Sequence, residues 1–381
     1  MIYLDNAATT LKKPSCVTNK VKDLIDRGVG NPGRGGHKES ERASEAVYSA
    51  RCSIARLFGA EAERVCFTSG CTEALNFAVQ GTVLPFSSVI TSDIEHNSVI
   101  RPLYGIPGCN IMKIDTDKDI TAQIEKYLSS GVNILVCTAM SNVTGRRLPV
   151  FEIGRLCKRY NALFIVDGAQ AAGHFDIDVE RDCIDILCLP SHKGLFGLAG
   201  AGAMIFSKSF DPDRIKPIIV GGSGTESKLL NMPHRFPERL EAGTLPVIPI
   251  VSMGKGAEFV MKTGTQKISE HENMLYELLF SCLDEFDEVR IYSKSPGSVL
   301  LFNIEGIPSD ELCYRLSEYN IAVRGGFHCA PDAHKKTATY DTGAVRVSFS
   351  YLNKPKDVYK LVDAVKEIIL QYRKGALHSF L

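Results

Sequence analysis

Lys193 and Asp167 each follow an apolar run, and together they suit one kind of chemistry. ALFIVDGAQ places Asp167 just past an apolar strand with Gln170 one turn further, and CLPSHKG ends the next run with His192 and Lys193 before a glycine-rich turn. Taken singly, Asp167 reads as a helix cap and Lys193 as a solvated loop lysine. As a pair they read as catalytic. A lysine amine forms a Schiff base with an aldehyde cofactor, and a carboxylate facing a pyridine nitrogen keeps that ring protonated, so that it takes up an electron pair from a carbanion. Open α/β sheets carry such groups at the carboxyl ends of their strands.

Other segments offer the remaining parts. TSGCTEALN follows the strand VCFT and opens a helix, so its backbone N–H groups and the Thr72 hydroxyl would meet an anion, although the same residues would serve as a plain N-cap. His96 in EHNS follows the strand SSVITS, where an imidazole can stack on a flat ring or simply lie on the surface. Cys329 sits among Arg324, Gly325, Gly326 and His328, a combination expected to give a cationic, pliable loop that favours a thiolate over an inert buried thiol. A metal site from His328, Cys329 and His334 lacks a fourth ligand, and no CxxC pair has zinc-site spacing. No GxGxxG follows a strand in the required context and no GxxxxGK[ST] occurs, which argues against dinucleotide and P-loop readings.

These residues need a framework of strands and helices. Runs at RVCFTS, SSVITS, NILVCTAM, ALFIVDG, DILCLP and GAMIF alternate with helical periodicity at Glu39 to Phe58, Cys71 to Val79 and Val150 to Tyr160, the pattern of a mostly parallel α/β sheet. From about residue 265 the pattern becomes a long amphipathic helix, strands at VRIYS and SVLLFNI, a helix at SDELCYRLSEY, a strand at RVSFS and a closing helix to Tyr372. The expected division is an N-terminal segment 1–14, a large domain 15–264 and a small α+β domain 265–381. With 381 residues at 44% hydrophobic content, the chain can bury cores of that size. Lys plus Arg and Asp plus Glu number 44 each, so no global field attracts nucleic acid or an anionic membrane. No segment reaches the roughly 20 apolar residues of a membrane-spanning helix, and the N-terminus has no signal-like pattern. Many of the twelve cysteines lie inside apolar runs, which suits a reduced, cytoplasmic setting better than a disulfide framework.

The segments LDNAATT, NPGRGGH, TSGCTEALN, EHNS, SNVTG, VDGAQAAGH, SHKGLFG, EAGT, RGGFHCAP and RVSFS occur in an order that resembles the class V aminotransferase-fold cysteine desulfurases and selenocysteine lyases. The match spans nearly the whole chain. It is most similar to the group with a short connection around the catalytic cysteine, since Arg346 follows Cys329 by 17 positions. The resemblance implies a fold type I, pyridoxal-5'-phosphate-dependent transferase: a large domain with a seven-stranded, mostly parallel sheet, and a small α+β domain carrying the catalytic cysteine and the substrate-carboxylate arginine. It implies that Lys193 carries the cofactor, Asp167 pairs with its ring nitrogen, Gln170 with its ring hydroxyl, and His96 stacks on the ring. Thr72 and His192 would hold the phosphate, with Thr244 reaching in from the partner of a homodimer, and Cys71 would be a further cofactor-binding residue. Asn142 would lie near both the substrate and the cofactor's ring oxygen, Arg346, Arg34 and Ala8 would meet the substrate, and Cys329 would be the nucleophile that takes sulfur from cysteine, or selenium from selenocysteine, before passing it to a protein or thiol acceptor.

The chain departs from that pattern at Pro190, where relatives commonly have a hydroxyl residue, and in GLFGLAG and EAGTLP. These changes are expected to touch cofactor affinity more than reaction type. Two other readings stand beside the desulfurase: another lyase or aminotransferase on the same fold, which would not need Cys329, and a non-catalytic interaction protein, against which the intact Lys193 and Asp167 count.

Overall fold

Burial on both faces explains the apolar runs. In the computed structural model, which describes residues 1–33 and 35–375, Ile134–Thr138, Leu163–Asp167, Ile186–Pro190 and Gly202–Phe206 are buried at every position. That is the pattern of strands covered by helices on each side. They belong to a seven-stranded sheet in the order Val65–Thr68, Gly202–Phe206, Ile186–Pro190, Leu163–Asp167, Ile134–Thr138, Ser88–Ser92, Asn110–Ile114. Gly202–Phe206 is antiparallel to both its neighbours, and the other pairings are parallel. The fold class is therefore the α/β class expected from the sequence. The sequence reading lacked Asn110–Ile114, an edge strand that is exposed at Asn110 and only half-buried over the next three residues.

Two compact units emerge. The larger comprises Lys13–Ala139 and Leu148–Gly264, and the smaller Met1–Lys12, Met140–Arg147 and Thr265–Leu381. The larger unit contains the sheet and packs Leu75, Phe77, Val79 and Leu103 against Val136, Ile165, Ile186, Met204 and Phe206. Each such side chain, once buried, contributes about 1.5–3 kcal/mol. In the smaller unit Val289–Ile291, Val299–Ile304 and Val345–Ser348 form an antiparallel sheet with Val299–Ile304 central. Its core joins Phe302, Val345 and Val347 to Leu275 and Leu279 of one helix and Leu361 and Val365 of another.

Met140–Arg147 lies inside the stretch read above as part of the large domain, yet it packs with the smaller unit. It is a tight turn: the Ser141 N–H donates to the Arg146 carbonyl at 2.9 Å, and Gly145 adopts φ +73, where a Cβ would be strained and would lie close to the Val299 carbonyl oxygen, at 3.0 Å. Arg147 ties the end of the turn by donating to Ser269 Oγ at 2.9 Å.

In the larger unit two loops are locked together by glycines. Gly173 adopts φ +85, and a Cβ there would lie 2.2 Å from the Gly194 carbonyl oxygen; a Cβ on Gly194 would lie 2.2 Å from the Ala172 oxygen. Only hydrogen at both positions lets the backbone after Asp167 touch the backbone after Lys193. Gly173→Ala is therefore expected to destabilise the protein by about 1–3 kcal/mol, a combination of left-handed strain and steric displacement. Chemical denaturation would check this, and an unchanged midpoint would contradict the close approach.

Candidate active site

Functional groups gather where the parallel strands of the larger unit end. Asp167 closes Leu163–Asp167, is 2% exposed, and accepts the Ala169 N–H on Oδ1 at 2.9 Å. Its carbonyl accepts from Ala139 at 2.9 Å, which fixes the turn to the neighbouring strand. Cys71 donates its thiol to the same Oδ1 at 3.5 Å, and burial, reinforced by the Asp167 charge, pushes that thiol well above its ordinary value. Gln170 is buried one turn further on. Past the adjacent strand, Lys193 is half-buried, and its carbonyl accepts the Phe196 N–H at 2.8 Å, holding the glycine-rich turn.

His192 stays neutral. Burial, with Lys193 and Lys13 adding repulsion, lowers it to about 4. Lys13, which donates to the His192 carbonyl at 3.4 Å, is itself lowered to about 8 by burial. The helix Cys71–Thr82 begins at Gly70 without a side-chain cap. Gly202 lets that start lie against the sheet, because a Cβ there would fall 2.6 Å from the Gly70 carbonyl carbon. Thr72 Oγ1 lies 2.9 Å from Ser98 Oγ, and His96 Nδ1 accepts the Ser98 N–H at 3.0 Å, so the imidazole is anchored through one nitrogen. Thr244 is exposed in the segment before Val247.

The smaller unit holds a second constellation around Arg346, which is 1% exposed. Its guanidinium donates through Nη2 to Asp5 Oδ1 at 2.7 Å and through Nη1 to the Asn142 carbonyl at 3.0 Å, while Nε–H is buried with no partner. The backbone of Arg346 pairs with Arg324, donating to its carbonyl at 2.8 Å, and so sets the start of the loop that carries Cys329. Asn142 donates from Nδ2 to the His328 carbonyl at 2.7 Å. Ala8, half-buried, donates its N–H to the Asp5 carbonyl at 3.2 Å. Cys329 is exposed, and His328 and Cys329 occupy the left-handed region at φ +50 and +58. Consecutive non-glycine residues there cost about 1–3 kcal/mol each and persist only where their surroundings enforce them.

One expectation is corrected here. His328 does not supply positive charge beside the thiol, because burial, with Arg346 second, depresses it to about 2 and leaves it neutral. Its ring is turned to Arg324 O and His334 rather than to solvent. Arg34 lies outside the described residues. Sequence reasoning also passed over Asp5 and Glu95, although both stand inside quoted segments, LDNAATT and EHNS. Glu95 is 1% exposed, accepts the Thr138 N–H on both oxygens at 3.0 and 2.9 Å, and takes the Ser92 hydroxyl. A charged residue within three positions of the end of a strand was the available signal.

The aminotransferase class-V family description matches residues 2–361. The chain belongs to the class-V aminotransferase family. Among its relatives in that family, a probable cysteine desulfurase of Pyrococcus abyssi is 30% identical, the match covering 98% of this chain and 96% of the relative. A solved apo structure of a cysteine desulfurase from Thermococcus onnurineus superimposes with a TM-score of 0.89 at 27% identity, covering 97% of this chain and 94% of the other. A cysteine desulfurase of Escherichia coli gives 0.86 at 26% identity, covering 97% and 94%. For this class-V chain, the residues predicted from sequence divide by unit: Lys193, Asp167, Gln170, His96, Thr72, Cys71, His192 and Thr244 in the larger, and Cys329, Arg346, Asn142 and Ala8 in the smaller.

Glu95 gives a pH test. Burial raises its carboxyl from 4.5 to about 8, against the opposing hydrogen bonds from Ser92 and Thr138, with the Asp167 charge adding to the rise. Between those values the unfolded chain releases the proton and the folded chain keeps it, so stability from this group is full below about 4.5 and lost as pH rises through about 8. Glu95→Gln, a neutral isostere, is expected to flatten that decline in unfolding midpoints measured from pH 5 to 8. A Glu95→Gln profile parallel to wild type would show that Glu95 is ionised in the native protein.

Proposed function

We propose that the chain is a pyridoxal-phosphate-dependent cysteine desulfurase that converts L-cysteine to L-alanine and takes the sulfur on Cys329 as a persulfide. The observation that carries this reading is the presence, in one class-V chain, of a glycine-locked Lys193–Asp167 pair and an exposed thiol on a left-handed backbone. An aminotransferase or a lyase of another kind would leave that thiol without a task.

The donor set suits the cofactor: an amine for its aldehyde, a buried carboxylate for its ring nitrogen, and a helix start without a side-chain cap for its phosphate. When bound, pyridoxal phosphate supplies an electrophilic aldehyde and a ring that stores the electron pair released when a Cα proton leaves. Lys193 Nζ would hold it and then carry the Cα proton of the substrate. Asp167 would keep a proton on the ring nitrogen, Gln170 would bond the ring hydroxyl, and His96, anchored by Ser98, would lie on the ring face. Thr72 and the backbone of Cys71 would serve the phosphate. His192, neutral, would offer it a single N–H rather than a charge.

The substrate carboxylate suits Arg346, whose buried Nε–H has an unused donor, a task for which a guanidinium fork is well matched. Asn142, Ala8 and Arg34 would complete the substrate's surroundings. Cys329 Sγ, as thiolate, would attack the substrate sulfur. The S–S bond forms as the substrate C–S bond breaks, its electron pair stays with carbon, and protonation of that carbon gives alanine. An exposed persulfide then passes its outer sulfur to a protein or thiol acceptor. Exposed Thr244 supports a homodimer in which it serves the partner's phosphate site, and a thiol-dependent reaction fits the cytoplasm.

Cys329→Ser should keep the visible absorption of the bound cofactor and still respond spectrally to cysteine, while alanine release falls to background. Lys193→Ala should lose the borohydride-fixable link to the cofactor. Wild-type alanine release by Cys329→Ser would overturn the persulfide route. Sedimentation of the active enzyme should give a dimer, and a fully active monomer would remove the role assigned to Thr244.

A further inference from the structure

Behind the Cys329 loop lies a buried chain of hydrogen bonds within the smaller unit that the reaction as written does not use. Thr339 Oγ1 lies 2.7 Å from His334 Nδ1, His334 Nε2 lies 3.1 Å from His328 Nδ1, and His328 Nε2 lies 3.1 Å from the Arg324 carbonyl oxygen. Thr339 and His334 are fully buried and His328 is 3% exposed. The two imidazoles are nearly coplanar in orientation, at 13° with centroids 5.3 Å apart.

The direction of this chain follows from its last member. A carbonyl oxygen only accepts, so His328 Nε2 carries the hydrogen, and a neutral ring then leaves Nδ1 bare. His334 Nε2–H must therefore donate to it, which leaves His334 Nδ1 bare to accept the Thr339 hydroxyl. Each group has one tautomer that satisfies its neighbours. Burial keeps both rings neutral, lowering His334 to about 4 and His328 to about 2, so a second hydrogen does not disturb the order near neutral pH.

We propose that His334 and Thr339 are positioning residues for Cys329: their one-way hydrogen-bond chain fixes the His328 ring and thereby the left-handed backbone that presents the thiol. His328 is then held at three points, by His334, by the Arg324 carbonyl, and by Asn142 on its own carbonyl. The residue that follows it is Cys329, so a rotation at His328 swings the thiol directly. The inference rests on the reading of Cys329 as sulfur acceptor.

Thr339→Val and Thr339→Ser form the test pair, since valine keeps the shape but removes the donor and serine restores it. With the cofactor-loaded enzyme, Thr339→Val is expected to lower kcat for alanine release from cysteine about tenfold or more, leaving KM and the cofactor spectrum unchanged, because a misplacement of about 1 Å can cost that much. Thr339→Ser should return to near the wild-type kcat. In parallel, hydrogen–deuterium exchange of peptides spanning residues 324–339 should be faster in Thr339→Val than in wild type and Thr339→Ser. His334→Ala should show the same defects more strongly, and if it fails to fold, the threonine pair decides. Equal kcat and equal exchange in Thr339→Val and wild type would overturn the proposal. Absence of persulfide on wild-type Cys329 after cysteine treatment would instead refute the sulfur-acceptor reading, and the exchange comparison would still report on the pin.

Discussion

A buried guanidinium organises the smaller unit. Moving an arginine out of water costs several kcal/mol unless its hydrogens are matched, so the chain must bring acceptors to it. Arg346 receives the Asp5 carboxylate from the N-terminal segment and the Asn142 carbonyl from the Met140–Arg147 turn, two pieces of chain far from it in sequence. Its backbone adds a third partner, Arg324. The N-terminal segment, the internal turn and the cysteine loop are therefore ordered around one residue. Without the turn, Nη1 would be a buried donor lacking this acceptor. The Nε–H left over is a buried donor without an acceptor.

The larger unit solves a different problem, that of holding an amine and a carboxylate at fixed places on adjacent loops. Packed side chains would do this loosely. Backbone against backbone at Gly173 and Gly194 does it more tightly, because the contact has no rotatable bonds. The neighbouring groups are kept neutral by burial: Cys71 and Glu95 are raised, His192 is lowered. Beside Asp167, a second full charge would be costly in such surroundings, and a protonated Glu95 avoids it.

How much of this was legible in sequence depends on what each residue reports. Strands buried on both faces announce themselves as apolar runs, so Leu163–Asp167 and Ile186–Pro190 were placed to within a residue or two, and with them the positions of Asp167 and Lys193. Asn110–Ile114, with Lys113 interrupting its apolar residues at the sheet edge, gave no such run. The Met140–Arg147 excursion could not be read either, since it is specified by acceptors for Arg346 rather than by a local pattern. The charge of His328 was misread for the same reason. Sequence shows a histidine beside a cysteine, but its protonation is decided by burial and by partners at 334 and 324.

The state of His328 bears on what sets Cys329 apart among the twelve cysteines. Cys66, Cys71, Cys137 and Cys188 are raised well above 9 by burial, and Cys157 and Cys313 to about 12, so these thiols are held in the unreactive protonated form. Cys329 is exposed instead. With a neutral His328, no adjacent imidazolium singles it out electrostatically. Access alone does not set it apart either, since Cys16 is also exposed; what distinguishes Cys329 is direction, the property that a left-handed backbone braced by buried hydrogen bonds can supply. An exposed sulfur is also one that an acceptor can reach. Under the proposed role of Cys329 as sulfur acceptor, the same exposure would leave its persulfide open to the next reaction.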